Sequence, residues 1–222
     1  MRTKISTALV LILAAAFVAD SQPAKSGKWL PLFNGKDLSG WHLRDPQGPN
    51  GWTVAAGGVY VNTPKSTDLM TDTEYYDFQL HVEFNVGPGS NSGVYMRDKY
   101  EVQIHDSYGK PADQSGCGAL YRRIAPAVNA SKPAGEWQTF DITFIGQRLT
   151  VIHNGQKVLD NVETGPMGTG AAGKRPDGPG PLRLQGDHGQ VSFRNLRILP
   201  LSKPEAERLQ RQLDKGSRKA TR

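Results

Sequence analysis

Short alternating runs of apolar and polar residues recur along this chain. Residues 77–84 place Phe78, Leu80, Val82 and Phe84 on one face. Residues 58–61, 92–97, 100–105, 140–144, 149–153, 156–159, 181–185 and 191–198 repeat the pattern. Asn154-Gly155 separates two of these runs and supplies the positive φ angles of a type I′ hairpin turn. The runs at 92–97 and 100–105 are close enough to pair as another hairpin. Helical periodicity is absent until residues 204–213, where a charged stretch reads as a solvated helix or frayed end. Many short strands with Gly and Pro between them predict an all-β fold, a jelly-roll sandwich of two antiparallel sheets. Two long irregular segments interrupt it, 106–136 and 167–181. Loops of that length in a domain are usually functional or disordered. The first carries aromatic and apolar anchors and is expected to be ordered over one face.

Composition divides the chain into three parts: 1–24, 25–202 and 203–222. The first has a basic start (Arg2, Lys4), an uncharged apolar stretch at 5–18 and small residues before residue 25, the layout of a secretory signal peptide. The expected location is therefore periplasmic or extracellular, with no membrane span after signal removal. The chain has 222 residues and a formal net charge of +6. Arg2 and Lys4 supply two of those charges. The 203–222 tail, with seven basic and three acidic residues, supplies the other four, so residues 5–202 sum to zero. A neutral body has no field with which to track a phosphate backbone, so no nucleic-acid partner is expected. The lone Cys117 cannot form an internal disulfide.

Candidate chemistry concentrates in the 92–105 hairpin. Alternation puts Val94, Met96, Val102 and Ile104 on an apolar face. It puts Gly93, Tyr95, Arg97, Glu101, Gln103 and His105 on the other. A solvent-facing sheet surface has the same pattern. The long loop that follows would roof this face and make it a cleft. A second cluster, QGDHG at 185–189, offers Gln185, Asp187 and His188 as base, metal ligand or sugar-binding groups, and reads equally as a turn. Trp29, Trp41, Trp52 and Trp137 are stacking candidates for sugar rings, or core packing. No zinc-type histidine pair, Gly-x-Ser-x-Gly elbow or phosphate loop is present.

At these residues the chain resembles the 3-keto-disaccharide hydrolase family, tied to 3-keto-glucoside 1,2-lyase and 3-keto-2-hydroxyglucal hydratase chemistry. The motifs are LFNGKDLSGW at 32–41, SGVYMR at 92–97, YEVQIHD at 100–106, GALY at 118–121, GEW at 135–137, HNG at 153–155, LQ at 184–185, HG at 188–189 and FRN at 193–195. The resemblance spans about 29–201. It implies a concanavalin A-like sandwich with a carbohydrate on its concave sheet. It also implies an exported enzyme that removes the C2 proton of a 3-keto-glucoside and eliminates the C1 aglycone, with rehydration completing a net hydrolysis. Such a route needs a base, an acid and a cation for the enolate oxygen. Expected roles are Glu101 or His188 as base or acid and Arg97 at the enolate oxygen. Gln103, His105, Tyr121, Gln185 and Arg194 would contact the sugar. A divalent cation held by Glu101, His105 or Asp187 is the alternative to Arg97. The competing function is a lectin-like carbohydrate-binding module, since fold does not decide function. An ordinary glycosidase ranks lower, because Glu101 has no carboxylate partner at strand spacing.

Overall fold

The computed structural model describes residues 27–169 and 177–220, so the expected signal peptide lies outside the described residues. Within them the chain forms, in order, β1 (Leu30–Pro31), β2 (Trp41–Leu43), β3 (Trp52–Ala55), β4 (Val59–Asn62), β5 (Leu69–Tyr75), β6 (Phe78–Val86), β7 (Asn91–Met96), β8 (Tyr100–His105), β9 (Trp137–Ile145), β10 (Arg148–His153), β11 (Gln156–Glu163), β12 (Gly180–Leu184), β13 (Val191–Pro200) and α1 (Lys203–Ala220).

The strands build two antiparallel sheets. One runs β11-β10-β9-β6-β13-β4-β3, with β1 added on β13. The other runs β2-β5-β12-β7-β8. Alternation explains the layering. β6 buries Phe78, Leu80, Val82, Phe84 and Val86, every second residue. These meet Phe140, Phe144 and Phe193 of the same sheet and Leu69, Val94, Met96, Val102, Ile104, Leu182 and Leu184 of the other. Each such side chain contributes about 2 kcal/mol on burial. The result is the expected all-β, concanavalin A-like sandwich. The Asn154-Gly155 turn forms as the sequence requires, with φ of 49° and 80°.

Three expectations are revised. The alternation of β7 stops at Met96. Arg97 and Asp98 adopt φ of 54° and 50°, forming a tight turn closed by Lys99 N donating to Met96 O at 3.0 Å. Positive φ swings the Arg97 side chain off the outer face. Second, the 106–136 loop meets this face at its edge, where Tyr121 and Arg122 line a pocket. Its 118–121 segment lies along the open edge of β8. Gly118 N donates to Gln103 O, Gln103 N to Ala119 O, and Tyr121 N to Glu101 O, at 2.8–3.0 Å. Cys117, Leu120 and Ala130 enter the core and anchor it. Third, the tail is a longer helix than periodicity suggested. The Ser202 N–H and hydroxyl both donate to the Glu205 carboxylate at the start of the helix. Gln210 and Asp214 then bond to Asn161 of β11. Among the described residues no helix is long and apolar enough to cross a membrane.

Candidate active site

Two neighbouring rows of side chains cross the outer face of the five-stranded sheet. Register places Arg183 of β12 beside Tyr95 of β7, and Tyr95 beside Glu101 of β8. In the next row, Gln185 N donates to Gly93 O, and Gly93 pairs with Gln103. Gly93 therefore leaves a gap among long polar side chains, and the Glu101 carboxylate fills it. A Cβ on residue 93 would lie 2.5 Å from Glu101 Oε1. Above the rows is a pocket of about 220 Å³, lined also by Arg44, Asp68, Asn91, Tyr121, Arg122, Asp187 and His188.

Glu101 is buried, and burial pushes its carboxyl up to about 7. Two neighbours oppose that rise. The Tyr95 hydroxyl donates to Oε2 at 2.7 Å, and the Arg183 charge lies beneath. In the orientation that satisfies both ends of its amide, Gln103 donates to Glu101 Oε1 at 2.9 Å and to Ser92 O at 3.2 Å. Its oxygen accepts from Asn91 Nδ2 at 3.2 Å. Burial also pushes the Tyr95 phenol well above its ordinary range, with the Glu101 carboxylate adding to the effect. Tyr95 is therefore a permanent donor.

Arg183 has no exposed surface, and its guanidinium stacks 3.4 Å from the Tyr95 ring centroid. It pairs with Asp68, and Asp98 Oδ1 lies 2.6 Å from its Nε. Burial works against its charge, but Tyr95, Asp68 and Asp98 outweigh burial and hold the guanidinium above its ordinary value. Asp68 also accepts from Gly186 N at 3.0 Å, and Asn62 Nδ2 donates to Gly186 O and Gly189 O. These bonds hold the turn carrying Asp187 and His188 over the pocket. Because β12 and β13 belong to different sheets, this turn is a crossover and not a hairpin.

The structure brings together six of the expected residues: Glu101, Gln103, Tyr121, Gln185, Asp187 and His188. Three lie elsewhere. Arg97 sits at the rim of the inter-sheet layer, its guanidinium 4.0 Å from the Tyr76 ring and 4.3 Å from the Phe144 ring, with Nε donating to Tyr76 O. Arg194 is on the outer face of the other sheet, bonded to Glu83 at 2.6 Å and stacked on Trp137. His105 shares the face of Glu101 but pairs with Asn91 at the far end of the strand, outside the pocket lining. The cation candidates Glu101, His105 and Asp187 therefore do not converge. Among the described residues no three His, Cys, Asp or Glu side chains are grouped to hold a metal. Trp41 and Trp52 are core residues, and neither Trp29 nor Trp137 lines the pocket. Sequence reasoning missed Arg183, Asp68, Arg44, Asn91 and Arg122.

Fold and site define a β-sandwich protein with a polar, acid-bearing pocket on one sheet. The chain belongs to the 3-keto-alpha-glucoside-1,2-lyase-like domain family, whose model matches residues 28–199. It is 25% identical over 175 residues to the 3-keto-disaccharide hydrolase of Bacteroides thetaiotaomicron, an alignment covering 62% of this chain and 60% of the relative. The chain thus spans about 60% of that protein's length. A candidate glycosyl hydrolase from Parabacteroides distasonis superposes with a TM-score of 0.64 at 31% identity, covering 78% of this chain and 84% of the other. A carbohydrate-binding module of family 66 from Bacillus subtilis shares the fold alone, with a TM-score of 0.50 at 11% identity over 72% of this chain and 95% of the module.

Proposed function

We propose that this protein cleaves 3-keto-glucosides by elimination across C1 and C2. The observation that carries the reading is Glu101, a buried carboxyl titrating at about 7 in a polar pocket over a buried guanidinium. A ketone at C3 acidifies the C2 hydrogen, and a base with that pKa suits its removal near neutral pH.

In this reading ionised Glu101 takes the C2 proton and the electron pair moves onto the C3 oxygen. Arg183, which has no exposed surface, favours this charge through its field and not by contact. It takes the part that sequence reasoning gave to Arg97. The enolate then reforms the ketone, a C1–C2 double bond forms, and the C1–O bond breaks toward the aglycone. His188, half exposed at the pocket mouth, gives a proton to the departing oxygen. Water added at C1 would return a proton to His188, and protonated Glu101 would return its own to C2, completing a net hydrolysis. Export directed by residues 1–24 is part of the same proposal.

Incubation with an aryl 3-keto-glucoside, following aglycone release, tests the reading. Glu101→Gln should lower release by about 10² to 10⁴. Undiminished release from Glu101→Gln would overturn the assignment. Binding of ordinary glucosides, with no turnover of keto sugars by the wild type, would replace it with a binding module.

A further inference from the structure

Two residues lining the pocket carry side-chain oxygens that have no partner among the described residues and no surface open to the cavity, so a ligand meets them only as the side chains turn toward it. Gln185 Oε1 and Asn91 Oδ1 both belong to residues lining it, and both are buried without a hydrogen-bond partner among the described residues. Gln185 is only 8% exposed. Its backbone is fully used: its N–H donates to Gly93 O, and its carbonyl accepts from Ser92 Oγ at 2.8 Å. Main-chain bonds thus fix where the side chain starts. Asn91 is fixed from its other end, because its Nδ2 donates to Gln103. That bond assigns the amide orientation and leaves Oδ1 as the spare atom. An unmet buried acceptor costs about 1–3 kcal/mol, so two beside one pocket call for a source of donors.

Gln103 offers a contrast. Its nitrogen is committed to Glu101 and Ser92, and its oxygen to Asn91. It is a bracket between the carboxylate and Asn91, with no N–H left to donate to a ligand.

We infer that Asn91 and Gln185 are the specificity-determining residues of this pocket, a pair of acceptors that reads two free hydroxyl groups of one sugar ring. The pair rests on the functional reading above for the identity of that ring, but not for its chemistry. A 3-keto-glucoside carries free hydroxyls at C2, C4 and C6, each a donor. Two acceptors with no competing donor demand O–H or N–H at those points. They reject a methyl ether or a deoxy centre, which would leave the buried oxygen unpaired. The pocket volume of about 220 Å³ suits a single ring under this pair.

The test is a matrix of substrates and variants. Methyl 3-keto-glucopyranoside and its 2-, 4- and 6-deoxy analogues are assayed for kcat/KM and for binding by calorimetry. Wild type, Asn91→Ala and Gln185→Ala are used, with Gln103→Ala as a comparison. Wild type should discriminate against two of the three deoxy sugars by about 10² or more. Asn91→Ala should abolish the discrimination at one of those positions and Gln185→Ala at the other. A merely structural role would weaken all sugars alike and leave the discrimination ratios unchanged. That outcome, or a wild type indifferent to deoxygenation, overturns the inference. Discriminating binding without cleavage would uphold the acceptor pair while defeating the lyase reading. Cleavage without discrimination would do the reverse.

Discussion

Tyr95 and Glu101 face each other across the β7–β8 hairpin, and the Tyr95 hydroxyl donates to the carboxylate at 2.7 Å. That bond favours the ionised acid, so its loss should raise the pKa of Glu101 further. Tyr95→Phe should move the acid limb of the kcat/KM profile to higher pH. The loss should be about tenfold at pH 6 and small at pH 9. An unshifted limb would show that Glu101 is not the group titrating in that profile.

Glu101 also makes stability depend on pH. Its folded pKa, about 7, lies above the ordinary 4.5. The folded protein therefore holds this proton more tightly than the unfolded chain. The contribution is fully present below about 4.5, is lost as pH rises through 7, and then stays constant. Glu101→Gln removes the penalty of a buried charge. It should be more stable than wild type at pH 8 by up to about 3 kcal/mol, with the difference closing by pH 5. Urea denaturation at the two pH values measures it. A variant less stable at pH 8 would contradict the assigned environment.

Gly93 should be the most sensitive small position of the site. A methyl there meets Glu101 Oε1 at 2.5 Å and must displace the carboxylate. Gly93→Ala should fold at a cost of about 1–3 kcal/mol while losing most of its turnover. Near-normal kcat with normal Tm would refute the packing described.

The two buried arginines should separate cleanly. Arg97 is 4% exposed and bonds Tyr76 O outside the pocket. Arg97→Met should lower Tm by several degrees and leave kcat close to wild type. Arg183→Met takes the buried cation from Asp98 and leaves Asp68 with only the partly exposed Arg44 as its cation, at 3.5 Å, and should lower both Tm and kcat. Equal losses of kcat in the two variants would reject the placement of the charge under Tyr95.

Much of this architecture was legible. Alternation located β6 through β10, and Asn154-Gly155 located a turn, because side-chain period and positive φ are local properties. The Glu101 face followed from the same parity. Arg97 was misplaced because parity was carried one residue past Met96, into left-handed backbone that no glycine announced. Arg183 was within reach, since it shares parity with Gln185 in the same run. The pairing of Asp68 with Arg183 was not. It joins residues 115 positions apart, and only the crossing of β5 and β12 brings them together. The edge position of the 118–121 loop was hidden likewise, because its hydrogen bonds run to the backbone of another segment and carry no side-chain signature.

Glu101 lies on β8, the last strand of its sheet. A bare final strand invites a second molecule to add its own chain, the first step toward self-association. Here residues 118–121 take the β8 groups of Glu101 and Gln103, and Thr169 takes Lys99 O and Glu101 N. The segments that border the acid therefore also keep the molecule from polymerising through it. Shortening either loop to widen the pocket would expose an adhesive margin, and insoluble protein would be the expected result.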